Sequence, residues 1–236
     1  MTPEIVFKDK DVCVAFKPAG YLSQADKSTD PDMVSFVTGE CGRDVHIINR
    51  LDRPVSGLML FALNERAAKE LSKQVSAAGA GMCKEYIAYL SGVLQGKSGE
   101  LRDFIGKAPG DQKASVMKKT NKGAKEAVLK YKTLRSAFRE GRQFSLVRIE
   151  LVTGRYHQIR VQTSSRGAGI CGDTKYNPDY ADGKSLPGDG FSKDNRFTIA
   201  LTAVSLEFTH PVTKKKLTFR LPKDKFGWNC DMLKDI

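Results

Sequence analysis

Apolar and polar residues alternate in short runs along most of this chain, and glycine, proline or aspartate closes each run. A period of two predicts β-strands. Ile5-Val6-Phe7 and Val12-Cys13-Val14-Ala15-Phe16 flank Asp9-Lys10-Asp11, which reads as a hairpin. Lys17-Pro18-Ala19-Gly20 ends the second run in a turn. Further strand-type runs are Val45 to Ile48, Leu58 to Ala62, Lys84 to Val93, Ala114 to Met117, Ala127 to Leu134, Phe144 to Leu151, Phe197 to Phe208 and Lys216 to Leu221. In the run from Lys84, the residues Tyr86, Ala88 and Leu90 point one way, and Ile87 and Tyr89 the other. Helical spacing is rarer. From Glu65 to Val75 the residues Ala68, Leu71 and Val75 share one face, which predicts a core-facing stripe, with Asn64 as N-cap and Gly79 to Gly81 as the stop. A short helix is expected from Pro31 to Val37, and Arg155 to Ser165 has helix-like spacing with Ile159 and Val161 inward. Polar loops are expected at 23–32, 92–99 and 177–195.

The length of 236 residues suits one large domain or two small ones. No run of 18 apolar residues exists, so no membrane span is expected. The start, Met1-Thr2-Pro3-Glu4, shows no secretory signal. The five cysteines are scattered, with no CxxC pair, so neither a zinc site nor a disulfide framework is expected and a reducing cytoplasm is the default. The formal net charge of +12 changes the picture most, because it favours a polyanionic partner. It is concentrated in residues 105–142, where eleven lysines and arginines stand against three acids. That density reads as a phosphate-facing surface, with a solvated lysine-rich loop as the alternative.

One stretch carries candidate chemistry. Asn49-Arg50-Leu51-Asp52-Arg53-Pro54-Val55-Ser56-Gly57 lies between two apolar runs and reads as strand, tight loop, strand. Asp52 sits between two arginines on a constrained backbone. A carboxylate there needs a partner, which Arg50, Arg53 or a more distant arginine could supply. From spacing alone, a structural salt bridge and a catalytic carboxylate stand level. Tyr86 alone reads as a packing tyrosine, Arg155 and Arg160 as surface charge. His157 has no second ligand nearby, so a metal role is not expected. There is no internal repeat, P-loop, GxGxxG or serine-hydrolase elbow.

Arg50-Leu51-Asp52-Arg53 followed by Ser56-Gly57 resembles the signature of the RluA-type family of RNA pseudouridine synthases. Lys17-Pro18-Ala19-Gly20, Lys84-Glu85-Tyr86-Ile87-Ala88, Gly154-Arg155-Tyr156-His157-Gln158-Ile159-Arg160-Val161, and Gly172-Asp173 with Tyr176 resemble the family's other motifs, in the family's order. The match covers about residues 5–222. Departures are Asn49 for the usual His, Val55 for Thr, Tyr156 where Thr or Ser is common, and Gln162 where His is common. The resemblance implies an α+β fold: one catalytic domain over 1–236, on a mixed, largely antiparallel sheet with flanking helices and a central RNA-binding cleft, without a separate N-terminal RNA-binding module. It implies isomerisation of uridine to pseudouridine in ribosomal or transfer RNA, by a cytoplasmic monomer with no metal and no organic cofactor. It casts Asp52 as the catalytic aspartate, Arg160 as its arginine partner, Tyr86 as the tyrosine that stacks on uracil, Val161 as an apolar contact to the base, and Arg50 as the filler of the space a flipped uridine leaves. The rival readings are a catalytically silent RNA-binding protein on the same scaffold and a DNA-binding or ribosome-associated structural protein.

Overall fold

The computed structural model describes residues 1–77, 81–108, 110–111, 113–182, 186 and 190–234. In chain order the elements are β1 (Glu4–Lys8), β2 (Val12–Lys17), α1 (Met33–Cys41), β3 (His46–Ile47), β4 (Ser56–Ala62), α2 (Glu65–Ser76), β5 (Cys83–Ser91), β6 (Ser98–Gly106), β7 (Ser115–Val116), β8 (Lys125–Arg139), β9 (Arg142–Leu151), α3 (Gln158–Ser164), β10 (Gly169–Ile170), β11 (Ser192–Lys193), β12 (Leu201–Thr209), β13 (Lys216–Arg220) and β14 (Trp228–Asn229). The fold is α+β. The strands form two compact units, one of residues 1–85, 194–198 and 202–227, the other of residues 86–193, 199–201 and 228–236.

In the first unit β1 and β2 form the predicted antiparallel hairpin, with the turn closed by Asp9 Oδ1, which accepts from the Asp11 and Val12 amides at 2.8 Å each. β2 continues onto β4 antiparallel, and β3 pairs with β4 as well. β4 runs parallel to β12, and β13 is antiparallel to β12, so the sheet is mixed. Its core holds Val12, Val14, Leu58, Leu60, Ala62, Ala67, Leu71, Met82, Leu206 and Phe208. Burying a Val, Leu or Phe of this kind contributes roughly 1.5–3 kcal/mol each. Asn64 caps α2 through a 2.9 Å bond from the Ala67 amide. The stripe expected on that helix is shifted. Ala67 and Leu71 are the buried pair, Ala68 is half-buried, and Val75 is 37% exposed, because only the first two turns cover the core. Of the expected stop at Gly79 to Gly81, residues 79 and 80 fall outside the described residues, and the helix ends before it, at Ser76.

Gly57 is required where β4 meets β12. It has φ +138°, and a Cβ on it would stand 2.5 Å from the Ala203 carbonyl oxygen. Ser56 beside it donates to the Phe226 carbonyl at 2.5 Å and shares a 2.8 Å bond with the Thr202 hydroxyl. These two contacts account physically for the Ser-Gly pair in the sequence.

The second unit is an antiparallel sheet in the order β5-β9-β8-β6-β7, with β10 on β5 and a separate β11–β14 pair. β8 and β9 form a long hairpin through Glu140 and Gly141, both at positive φ. The alternation seen in β5 does not separate a wet from a dry face, since Tyr86 through Leu90 are all buried. β6 lies where the sequence read as a polar turn and the start of the basic middle. Its outward residues Ser98, Glu100 and Arg102 are exposed, while Leu101 and Ile105 pack inward. α1 and α2 belong to the first unit and α3 to the second.

Candidate active site

The loop carrying Asp52 joins β3 to β4, and buried polar side chains hold it at several points. Asn49 is buried; its Oδ1 accepts from the Leu60 amide at 2.7 Å and its Nδ2 donates to the Leu58 carbonyl at 3.4 Å. The asparagine that departs from the family signature therefore ties the loop's start to β4. Ser23 clamps Leu51 twice, donating to its carbonyl at 2.6 Å and accepting from its amide at 2.9 Å. A turn closes with the Val55 amide donating to the Asp52 carbonyl at 3.0 Å. Arg53 is held by the segment before the loop and by Phe197. Its Nε donates to the Gly20 carbonyl at 3.1 Å, it pairs with Asp30 at 2.9 Å, and its guanidinium lies 4.1 Å from the centre of the Phe197 ring. Asp52 is left half-buried and Arg50 exposed.

Beneath this loop is a cation that the sequence reading assigned to a turn. Lys17 is fully buried, and register places it opposite Gly57. Its ammonium donates to the carbonyls of Pro18 at 3.0 Å, Tyr21 at 2.7 Å and Arg53 at 3.1 Å. All three protons of the group are thereby matched. Burial pulls the Lys17 pKa down to about 7, while the charge of Asp52 opposes that shift. Lys17 thus pins the catalytic-loop candidate to the Lys-Pro-Ala-Gly turn and lies in the field of Asp52.

In the second unit, α3 is buried from Gln158 to Thr163. His157 precedes it with φ +55°, a left-handed conformation uncommon for a residue with a Cβ. The Gln158 side chain ties the turn before α3 to β8. Its Oε1 accepts from the Arg155 amide at 3.0 Å and the Thr153 hydroxyl at 2.8 Å, and its Nε2 donates to the Val128 carbonyl at 3.1 Å. Arg160 is 4% exposed and grips Asp173, itself 1% exposed, in a two-point fork: Nε to Oδ2 at 2.7 Å and Nη2 to Oδ1 at 2.8 Å. Asp173 Oδ1 also accepts from the Lys175 and Tyr176 amides at 3.0 and 3.2 Å, so it shapes the Gly172–Tyr176 turn while holding the arginine. The Arg160 guanidinium stands 4.9 Å from the centre of the Tyr176 ring. Tyr176 Oη accepts from the Ala114 amide at 3.0 Å and shares a 2.7 Å bond with His157 Nδ1. The imidazole is kept neutral. Burial, and then the charges of Arg160 and Lys175, push its pKa down to about 3.

A family model described as RNA pseudouridylate synthase matches residues 11–165. This chain belongs to the RNA pseudouridylate synthase family. Among curated relatives, tRNA pseudouridine synthase C of Haemophilus influenzae is 31% identical over 95% of this chain and 98% of its own length. The protein of that name from Vibrio vulnificus is 32% identical over 94% of this chain and 91% of its own length. Two human structures share the fold. RNA pseudouridylate synthase domain containing 1 gives a TM-score of 0.71 at 20% identity, covering 94% of this chain and 84% of that one. RNA pseudouridylate synthase domain containing 4 gives 0.67 at 22% identity, covering 94% and 89%. The chain is accordingly an RNA-modifying isomerase that forms pseudouridine, and the silent-binder and structural-protein readings are set aside.

The residues that the family signature singles out fall in both units. Arg50 and Asp52 stand on the clamped loop of the first. In the second, Tyr86 is buried on β5 and Arg160 on α3, and Val161 packs with Ile105, Ala114, Ala127 and Tyr176. Sequence reasoning did not assign Lys17, Ser23 or Asp173 a role. Lys17 and Asp173 sat inside quoted motifs, which was the available signal; Ser23 lay in a stretch read only as a polar loop. One further polar cluster lies in the first unit, where Asp9, Asp11 and His210 bring potential ligand atoms within 4.8 Å of one another. His210 Nδ1 accepts from the Val212 and Thr213 amides at 3.2 and 3.0 Å, so Nε2 carries the proton and donates it to Asp9 at 2.9 Å. The lone pairs a cation would need from that ring are occupied, and the cluster serves to clamp the hairpin turn to residues 210–213. No helix among the described residues is long and apolar enough to cross a membrane.

Proposed function

We propose that this synthase acts on transfer RNA, with Asp52 as the catalytic carboxylate. The observation that carries the reading is the Asp52 loop, a half-buried carboxylate on a backbone locked by Lys17, Ser23 and Asn49. Geometry fixed before substrate arrives is what a positioned catalytic group requires. In the isomerisation the C1′–N1 bond breaks, the uracil turns, and a C1′–C5 bond forms; C5 gives up its proton and N1 gains one. A carboxylate suits such a reaction as nucleophile or as proton acceptor. The target uridine is flipped out of its stack, and Arg50, exposed beside Asp52, fills the space it leaves. Tyr86, Val161 and Arg160 take the substrate-side roles that the family resemblance implies for them. Support for transfer RNA rather than ribosomal RNA comes from the names of the bacterial relatives. The enzyme works as a monomer in the cytoplasm, with five cysteines that form no disulfide. Tritium release from transcripts carrying 5-tritiated uridine tests this reading. Transfer RNA releases label and ribosomal RNA fragments do not; label from ribosomal RNA alone overturns the substrate assignment.

The basic middle supplies the phosphate track in the same proposal. Lys118, Lys119 and Lys122 are all exposed. Neutralising the three together weakens RNA binding and lowers the slope of log affinity against log salt by roughly one unit per lost contact. The effect falls on affinity rather than on rate at saturating RNA. A salt titration checks it, and a triple variant with the wild-type slope removes this stretch from the track.

A further inference from the structure

Among the described residues the exposed large aromatic side chains are Phe138 and Tyr156, and Tyr156 differs in being held rigidly. The residue is 48% exposed, and its ring stacks on the His157 ring at 3.6 Å between centres and 20° between planes. His157 cannot shift easily. Its backbone is fixed in the left-handed conformation before a buried helix, and its Nδ1 is bonded to Tyr176, whose own hydroxyl is anchored to Ala114. The left-handed conformation is unfavourable for a residue with a Cβ, and the surrounding bonds offset it. The outcome is an aromatic surface set in place without substrate.

The surroundings are cationic. The Lys107 ammonium lies 4.4 Å from the centre of the Tyr156 ring. Arg160, Lys175 and Lys107 all act electrostatically on the neighbouring His157 as positive charges, and Asp173, which opposes them, is paired with Arg160. A flat π-face with an exposed lysine ammonium against it matches a nucleotide, which offers a base to stack and a phosphate to pair. It matches an unpaired nucleotide in particular, because a base inside a duplex has no free face.

We propose that Tyr156, backed by His157, is a stacking platform for an unpaired base of the RNA other than the reacting uridine, with Lys107 taking that nucleotide's phosphate. The proposal rests on the RNA-modifying reading above and adds a second point of base contact. It also gives a physical role to a position where the family commonly has Thr or Ser, side chains that cannot stack.

The test compares Tyr156→Phe, Tyr156→Ala and Tyr156→Thr for binding and turnover of a transfer RNA transcript that the wild-type protein isomerises. Tyr156→Phe keeps the ring and retains wild-type affinity. Tyr156→Ala and Tyr156→Thr raise Kd and KM by about tenfold, the scale of one lost base stack, with the loss in KM rather than kcat. Abasic substitution along the transcript then finds one position whose base contributes about tenfold to wild-type binding and nothing to Tyr156→Ala binding. Thermal melting confirms that each variant is folded. If the wild-type protein turns the transcript over and Tyr156→Ala binds it equally well, the platform is wrong and the enzyme assignment stands. If the wild-type protein isomerises no RNA, it is the functional reading that fails.

Discussion

Asp52→Asn is expected to abolish turnover, lowering kcat by about 10⁴-fold or more, the scale seen when a central catalytic group is removed. The amide keeps the size of the side chain and one oxygen, but it is neither an adequate nucleophile nor a proton acceptor. The loop should keep its shape, because Ser23, Asn49 and Lys17 hold it through backbone groups of Leu51, Arg53, Leu58 and Leu60. RNA affinity therefore stays near wild type, and a tritium-release assay alongside a binding titration separates the two properties. Substantial pseudouridine formation by this variant would falsify the assignment. A pH effect accompanies it. Lys17 has a folded-state pKa near 7, below the ordinary lysine value, so the unfolded chain binds its proton more tightly. That costs stability in full below about pH 7, and the cost shrinks as pH rises toward the unfolded lysine pKa of about 10.4. Removing the Asp52 charge takes away the influence that raises the Lys17 pKa. Asp52→Asn should thus be less stable than wild type at pH 6 and indistinguishable from it at pH 9, as read by denaturant midpoints.

Arg160→Ala has the largest expected effect on stability. It strands the Asp173 carboxylate, 1% exposed, without its two-point partner. Breaking a buried pair by removing one member costs roughly 3–5 kcal/mol, because the remaining charge stays in low dielectric. The damage spreads through the same carboxylate to the turn it caps at Lys175 and Tyr176, and from Tyr176 to His157. Activity should fall with stability. Arg160→Lys recovers only part, since an ammonium cannot reproduce the planar fork. Asp173→Asn with Arg160→Ala completes the comparison, and the double variant should be destabilised by less than the sum of the singles. Urea unfolding of the wild type, the single variants and the double variant measures this, and a wild-type midpoint for Arg160→Ala would contradict the buried-pair argument.

Local chemistry was enough for several features of the sequence to be read directly. A period of two marks β1, β2, β5 and β9, since alternate side chains on a pleated strand share a face. Asn64 marks the start of α2, since its side chain can replace the carbonyl missing from a first turn. The ordered motifs around Asp52, Tyr86 and Arg160 pointed to the family that the comparisons show. Local pattern did not reveal burial. Arg160 and Lys17 look like surface charge and turn residue in a string of letters. They are buried because Asp173, 13 positions on, and the Arg53 carbonyl, 36 positions on, supply the bonds that make a buried cation tolerable. β6 was hidden because its outer face is charged and glycines bracket its inward residues, so only pairing with β8 identifies it as a strand. Val75 keeps the helical period of its neighbours yet lies beyond the core they cover. The rigid Tyr156–His157 stack likewise depends on Tyr176 and Ala114, which are distant along the chain and adjacent only in the fold. Periodicity reports which side a residue faces, and tertiary structure alone decides what is there to meet it.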